Sequence, residues 1–432
     1  MYQRIIKPIL FMLNIEQAHR VVGLLLRFVG LIPGGRWWLD KCYAVHHPAL
    51  EKEVFGVHFT NPVGLAAGFD RNGEAFRELS SMGFGFIELG TITPSPQGGN
   101  PRPRVFRLTR DNAIINRMGV PNRGLKRTIQ SLRHPHGKVV VGCNIGRNLS
   151  TPPQEAAGDY LKVFRNLYQY TDYFTVNVCC DSSATDVASH SREFILSILE
   201  PLFDFRRGQN QYRPIMLKIS PDLTDEQIDE ITEVLIDTPL DGIVATNGTH
   251  MREELKTSED MIDKIGNGRL SGKPLTKRSI EIVRRIHTRT GGTYPIIGVG
   301  GLMTPDDVRE MLKAGADLVQ IYTGYIYQGP SFVKQICTAL VEDAEREAAF
   351  KAEAQRLAEE QAAAEAEAKR LAEEAELKAK LEGDQPAVAQ PQQIDDVDSS
   401  KAEAEGDGEA KTSCMASSCE PQNTTPTSEK AE

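Results

Sequence analysis

Eight short apolar runs punctuate the chain: PVGLAAG (62–68), FGFIELGTI (84–92), KVVVGCNIG (138–146), YFTVNVCC (173–180), PIMLKIS (214–220), GIVATNG (242–248), PIIGVGG (295–301) and LVQIYTG (318–324). They are nearly continuous in hydrophobic residues rather than alternating, as expected of strands covered on both faces in a parallel sheet. Most end in Gly, Asn, Thr, Ser or Cys, so polar groups gather at one end of the strands. Amphipathic segments such as Lys277–Arg289 and Pro305–Ala314 separate the later runs. Eight strands with βα spacing predict the α/β class and a closed (β/α)8 TIM barrel over residues 46–340. An open doubly wound sheet is disfavoured, because no GxGxxG opens a helix after the first strand. The stretch VFGVHFTNP (54–62) predicts a hairpin ahead of the barrel.

Outside the barrel the pattern changes. Residues 1–45 form an arm in which Ile5, Ile6, Ile9, Leu10 and Leu13, then Val21, Val22, Leu24, Leu25, Leu26, Phe28 and Val29, recur at helical spacing. Arg4, Lys7, Arg20 and Arg27 interleave, and Trp37 and Trp38 follow the Pro33-Gly34-Gly35 loop. Apolar faces with basic and Trp flanks predict two short helices lying on a membrane surface rather than crossing it. Residues 341–383 are dominated by Ala, Glu, Lys, Leu and Arg and predict one solvated helix. Residues 384–432 carry a disordered composition, with Cys414 and Cys419 incidental.

Charge sharpens this division. The 432-residue chain carries a formal −9, but from Val341 onward 24 acidic and 10 basic side chains give −14, leaving +5 for Met1–Leu340. That balance, without a dense Lys/Arg face, excludes nucleic acid as the main partner. Seven cysteines show neither zinc spacing nor a disulfide framework, and no signal-peptide cleavage pattern follows the N-terminus. The expectation is a peripheral protein at the cytoplasmic face of the cell membrane, holding no metal.

Candidate chemistry clusters at the strand ends. Gly298-Val299-Gly300-Gly301 and Tyr322-Thr323-Gly324 close the last two strands, where barrels commonly cradle a phosphate on backbone N–H groups. Lys218 interrupts an otherwise apolar strand and calls for an anionic or electron-rich ligand. Asn116, Asn144, Asn177 and Asn247 supply amides suited to the carbonyl and N–H edge of a planar heterocycle. Cys180, at the end of the fourth strand, is a candidate base or nucleophile.

From Met1 to about Leu340 the chain resembles the membrane-associated, quinone-dependent (class 2) dihydroorotate dehydrogenases. The likeness rests on NPVGLAAGFD, MGFGFIELGTITP, NPRPRVFRL, INRMG, VNVCC, LKISPDL, DGIVATN, LSGKPL, PIIGVGG and LVQIYTG, with an N-terminal EQAH. The resemblance implies an FMN-bearing barrel that oxidises dihydroorotate to orotate, for pyrimidine synthesis, and passes electrons to a membrane quinone. It implies FMN contacts from Ala67, Gly68, Arg71, Thr91, Asn144, Asn177, Lys218, Thr246, Gly272, Gly301, Tyr322 and Thr323. It places dihydroorotate against Arg71, Asn116, Arg117, Met118, Gly119, Val120, Asn177, Ser182, Asn247 and Gly248, and quinone near His19 and Arg107. Cys180, Lys218 and Arg71 are the implied catalytic residues, with a base taking the ring C5 proton while hydride leaves C6 for the flavin.

Several positions depart from the family. Cys179-Cys180-Asp181-Ser182 stands where membrane-bound members carry Ser-Ser-Pro-Asn, and Cys180 takes the base position as in the soluble class. Arg71 replaces a Lys, Gly248 a hydroxyl residue and Val120 an aromatic one. Two further readings therefore stay open: an FMN barrel acting on another pyrimidine or ene-acid, and a catalytically silent relative whose tail recruits a partner. By two-residue alternation from Cys180, Cys179 is expected to point into the barrel wall.

Overall fold

The computed structural model describes residues 2–133, 137, 139–179 and 190–382. A hairpin of β1 (Lys52–Val54) and β2 (Val57–Phe59) precedes the first barrel strand. In chain order the other strands are β3 (Val63–Leu65), β4 (Phe86–Ile92), β5 (Val105–Leu108), β6 (Ala113–Asn116), β7 (Val140–Ile145), β8 (Tyr173–Asn177), β9 (Ile215–Ile219), β10 (Gly242–Ala245), β11 (Arg269–Gly272), β12 (Ile296–Val299) and β13 (Leu318–Ile321). Eight of them close a parallel barrel in the order β3-β4-β7-β8-β9-β10-β12-β13. The predicted (β/α)8 architecture is the observed one.

Alternation along each strand divides two cores. Outward residues such as Ile87, Leu89, Val141 and Phe174 pack against the surrounding helices, with Phe174 and Phe164 ring centroids 4.5 Å apart. Inward residues Phe86, Val140, Tyr173, Met216, Val244, Ile297 and Leu318 fill the barrel, and the hairpin plugs this filling with Val54 and Phe59. Phe59 meets Phe86 edge to face at 5.3 Å, a geometry that favours aromatic pairs beyond their buried area. With the interior filled, ligands are left the strand C-terminal ends.

Those ends are roofed by a three-stranded antiparallel sheet, β5-β6-β11, which the strand pattern did not predict. Against the roof and the barrel mouth lies the arm. After a wide turn over Tyr2–Ile6 come α1 (Lys7–Met12), α2 (Ile15–Leu31) and α3 (Gly35–Tyr43). Where two short helices were expected, α2 runs for 17 residues and the Trp pair after the Pro33-Gly34-Gly35 loop lies within a third helix. Asn14 and Gln17 form a reciprocal capping box that starts α2. Glu16 then ties that helix to the roof through Arg104 at 2.8 Å and Arg102 at 3.1 Å. Among the described residues no helix is long and apolar enough to cross a membrane.

The chain divides into two compact units, Met1–Arg356 and Leu357–Glu432. The final helix, Phe332–Glu382, begins in the first with Phe332, Val333, Ile336 and Cys337 buried. In the second, the described residues 357–381 are helical with exposed side chains, stabilised locally by pairs such as Lys380–Glu376 at 3.3 Å.

Candidate active site

A cavity of about 500 Å3 opens where the strand ends, the roof and the arm meet, within the roughly 300–1,000 Å3 of small-molecule sites. Its wall gathers residues from the arm, the barrel strand ends and the roof. Ala67, Gly68, Arg71, Thr91, Asn144, Asn177, Lys218, Thr246, Gly272, Gly301, Tyr322 and Thr323 all line it. So do Asn116, Arg117, Met118, Gly119, Val120, Asn247 and Gly248, and, towards the arm, His19 and Arg107. Cys180 and Ser182 lie outside the described residues, as does the tail beyond residue 382.

A buried polar layer sets the barrel-side wall. Glu88, inside β4 and fully buried, accepts hydrogen bonds from Asn144 Nδ2 (2.8 Å), Gln320 Nε2 (2.7 Å), Thr175 Oγ1 (3.0 Å) and Tyr173 OH (3.2 Å). Asn144 Oδ1 in turn accepts from Thr91 Oγ1 at 2.6 Å, and Asn177 Nδ2 donates to the same hydroxyl at 2.9 Å. A carboxylate satisfied by four donors fixes which way each amide points, and so which edge of it faces the cavity. With its Nε2 committed to Glu88, Gln320 keeps a buried Oε1 that has no partner among the described residues, and the same residue lines the cavity.

Lys218 lies on the adjoining wall, paired in register with Asn177 across β8-β9, and is 5 % exposed. No ion pair to its ammonium exists among the described residues. A desolvated cation without a counter-ion is costly, so the site favours an anionic or electron-rich guest. At the rim, Gly68, Gly272 and Gly301 have φ of +101°, +103° and +73°, backbone conformations open to glycine that bring main chain close to the cavity.

Cys179 lies just past the end of β8, is 5 % exposed, packs within the outer hydrophobic core and also borders the cavity, and its N–H donates to Asn177 Oδ1 at 3.1 Å. Burial pushes its thiol up, against the opposing influence of Arg269, Asn247 and Lys218. His190 Nε2 sits 3.4 Å from Cys179 Sγ and accepts the Ser220 N–H at 3.3 Å. Gln320 and Arg269 in the cavity wall, and Glu88 and His190 behind it, are not marked out by the sequence pattern.

Towards the arm the wall turns apolar. Phe11, Ile15, Ala18, Val22, Leu26 and Val29 face the cavity beside His19, whose ring meets Phe69 edge to face at 4.9 Å. Arg107 donates to the carbonyls of Phe11 (3.1 Å), Leu13 (2.7 Å) and Leu10 (3.3 Å), capping the end of α1. Burial pushes His19 down to about 4, aided by the nearby Arg71 charge, and burial likewise pushes His190 down to about 4. Both histidines are neutral near pH 7. Their stability contribution is complete above the ordinary value near 6.5 and is lost as pH falls towards 4, because the unfolded chain then binds protons the folded chain refuses. Replacing His190 by Gln, which keeps an acceptor for Ser220, should shrink the loss of unfolding free energy between pH 7 and 4.5 by about 2 kcal/mol. Chemical denaturation at the two pH values checks this; an unchanged difference contradicts the assignment.

Comparison with known proteins decides the lineage. A dihydroorotate dehydrogenase family profile matches residues 49–343. The chain belongs to the dihydroorotate dehydrogenase family. It is 45 % identical over 342 residues to a protein of Christiangramia forsetii named dihydroorotate dehydrogenase (quinone), covering 79 % of this chain and 99 % of that one. A protein of the same name from Thermosynechococcus vestitus is 43 % identical over 364 residues, covering 81 % and 99 %. Among solved structures, the Eimeria tenella dihydroorotate dehydrogenase in complex with ferulenol aligns with a TM-score of 0.68 at 32 % identity, over 78 % of this chain and 93 % of that one.

The family's cofactor is FMN, and the wall suits it. Among the described residues the Lys218 ammonium has no ion pair and the buried Gln320 Oε1 no hydrogen-bond partner, and these two groups and the glycine rim match the electron-rich, N–H-bearing and phosphate parts of a flavin nucleotide.

Proposed function

We propose that this chain is a quinone-dependent dihydroorotate dehydrogenase that oxidises dihydroorotate to orotate on FMN and works at a membrane surface. The observation that carries the reading is the continuity of one cavity, from the amide- and lysine-lined strand ends to the apolar arm beside His19 and Arg107. A water-soluble heterocycle suits the first end and a lipophilic acceptor the second.

Bound FMN supplies the two-electron chemistry between them. Ala67, Gly68, Thr91, Asn144, Asn177, Thr246, Gly272, Gly301, Tyr322 and Thr323 would hold it, Lys218 would supply a positive charge to it, and Glu88 orients Asn144 through its hydrogen bond. Asn116, Asn177 and Asn247 read the donors and acceptors of the pyrimidine, with Arg117–Val120 and Gly248 beside them in the cavity wall, and Ser182 is assigned to the substrate by the family resemblance alone. Cys180 takes the C5 proton as thiolate, and Arg71 keeps a cation where relatives have Lys. His19 and Arg107 form the polar end of the quinone entrance. Orotate formation that requires both dihydroorotate and an isoprenoid-type quinone tests the reading; orotate formed at the same rate without any quinone contradicts the acceptor.

Membrane contact is assigned to the arm's outer face. Ile5, Ile9, Met12, Leu24, Phe28, Leu31, Trp37 and Trp38 are exposed there, an apolar surface beside the cavity entrance. Phe28→Glu should lower binding to anionic phospholipid vesicles by about tenfold or more, since burying one Phe contributes roughly 1.5–3 kcal/mol. Co-sedimentation that is unchanged would remove the arm from membrane binding.

A further inference from the structure

Three arginines converge on Glu74. Its Oε1 accepts from Arg123 Nη1 at 2.8 Å and from Arg127 Nε at 3.2 Å, and Arg27 Nη1 lies 4.0 Å from its Oε2. The Glu74 side chain is only 18 % exposed, whereas those of Arg27, Arg127 and Arg123 are 42 %, 44 % and 63 % exposed. None of the three arginines has another ion pair among the described residues. A surface ion pair contributes little to stability, and the second and third cations repel one another across a carboxylate that balances only one of them. The cluster is left short of negative charge on its exposed side.

The arm and the barrel both contribute to it. Glu74 lies in the loop after β3, where the Asp70 carboxylate accepts from the Glu74 and Ala75 N–H groups at 2.9 and 2.8 Å and so fixes its place. Arg123 and Arg127 stand at the start of the helix Gly124–Leu132, and the Arg123 N–H donates to Asn72 Oδ1 of the same loop at 2.9 Å. Helices of such a barrel begin at the strand C-terminal ends, so these two arginines lie at the mouth, where the arm sits. Arg27 comes from α2, and Leu24, Arg27, Phe28 and Leu31 recur at i, i+3, i+4 and i+7, on one helical face. Leu24, Phe28 and Leu31 are 53 %, 64 % and 82 % exposed. An exposed apolar stripe therefore runs directly into an exposed guanidinium cluster.

We infer that Arg27, Arg123 and Arg127 form a headgroup site that binds the phosphates of anionic phospholipids while the apolar stripe of α2 enters the bilayer surface. The barrel then rests on the membrane through the helix Gly124–Leu132 as well as through the arm. The inference rests on the membrane reading above and extends it to residues outside the arm. Phospholipid is favoured over other anions by the continuity of cations with apolar side chains, because a bilayer surface presents phosphate and hydrocarbon at adjoining depths. A guanidinium also matches phosphate with a forked pair of donors. Arg127 uses only its Nε on Glu74 and Arg123 only its Nη1, so each keeps N–H groups that donate to nothing among the described residues.

The test is co-sedimentation of the full-length, FMN-loaded protein with vesicles of phosphatidylcholine alone and of phosphatidylcholine mixed equally with phosphatidylglycerol. The wild type should prefer the anionic vesicles. The double variant Arg123→Gln/Arg127→Gln should bind them about tenfold or more weakly, since each basic side chain near an anionic leaflet contributes about fivefold. Its binding to neutral vesicles should stay within about twofold of the wild type. As a control, Arg165→Gln/Arg207→Gln removes the same charge from the last turns of the helices Ala156–Leu167 and Arg192–Arg207, at the opposite end of the barrel. That variant should keep anionic binding within about twofold. Glu74→Gln, which removes the competing carboxylate, should strengthen anionic binding by about threefold or more. Equal losses in the two double variants would reduce the effect to net charge, and anionic binding unchanged in Arg123→Gln/Arg127→Gln would give the cluster to another acidic occupant; either result overturns the inference, as does a wild type that binds both vesicles equally. If Arg123→Gln/Arg127→Gln does not fold, Glu74→Gln decides alone, because a cluster that serves only the fold would gain no lipid there. A wild type that binds neither vesicle would overturn the membrane reading itself, a result separate from any effect of these arginines.

Discussion

Lys218→Met is expected to slow reduction of the bound flavin by dihydroorotate by roughly 10²–10³-fold, the size of effect seen when one preorganised charge is removed from a developing charge. The reason is the cost the folded chain accepts at this position. Lys218 sits between Leu217 and Ile219 in a barrel strand, nearly out of solvent, with no ion pair among the described residues. Its desolvation is therefore offset only when the cavity holds something electron-rich. Two measurements separate function from folding. The Lys218→Met variant, freed of FMN, should unfold at a higher temperature than the FMN-free wild type, because an unpaired buried charge is gone. Stopped-flow reduction should be slow in the FMN-loaded form of the same preparation. A variant reduced at the wild-type rate would remove Lys218 from the chemistry.

Cys180→Ala should abolish reduction while FMN stays bound, since removing a positioned general base costs about 10²–10⁴-fold. The residue lies outside the described structure, so the expectation rests on its place in the VNVCC motif and on thiol chemistry. A cysteine base titrates near 8.5, against a far higher value for a hydroxyl. The rate of flavin reduction should therefore rise with pH through the region of the thiol, and Cys180→Ser should flatten that rise. Cys179→Ala provides the internal control for the neighbouring thiol, whose burial pushes it upward and which lies against His190. Unchanged reduction kinetics in Cys180→Ala would exclude the thiol as base.

These expectations divide along the same line as the fold. The barrel was legible because its strands are covered on both faces, so FIELGTI or PIMLKIS reads as a mostly apolar run, each interrupted by a single charged residue. The roof was not. Strands β5, β6 and β11 are four residues long and show the cavity only one face, so VFRL, AIIN and RLSG carry too little pattern to stand out. That is also why Arg269 escaped notice: a cation in a short polar stretch reads as surface until the Asn116 ladder turns it inward. Glu88 could have been found, because a carboxylate inside FIELG breaks an apolar strand just as Lys218 does. Its four donors come from β7, β8 and β13, and the sequence does not say that those strands are neighbours.

The arm shows a second limit of pattern alone. Its apolar residues were evident, but they divide between two jobs: Phe11, Ile15, Val22 and Leu26 wall the cavity, while Met12, Leu24, Phe28 and Leu31 face outward. Helical spacing alone does not separate them, because both faces are apolar. What fixes the division is Glu16, held by Arg102 and Arg104, and Arg107, which holds the end of α1.

The most direct test of the account is an anaerobic titration of the FMN-loaded protein with dihydroorotate, followed in the visible flavin band and chased with a quinone analogue. Bleaching at a stoichiometry of one dihydroorotate per flavin, reversed by the quinone with orotate as product, is the predicted result. A flavin that binds yet remains oxidised in excess dihydroorotate would contradict the assignment of substrate, and with it the roles given to Cys180 and Arg71.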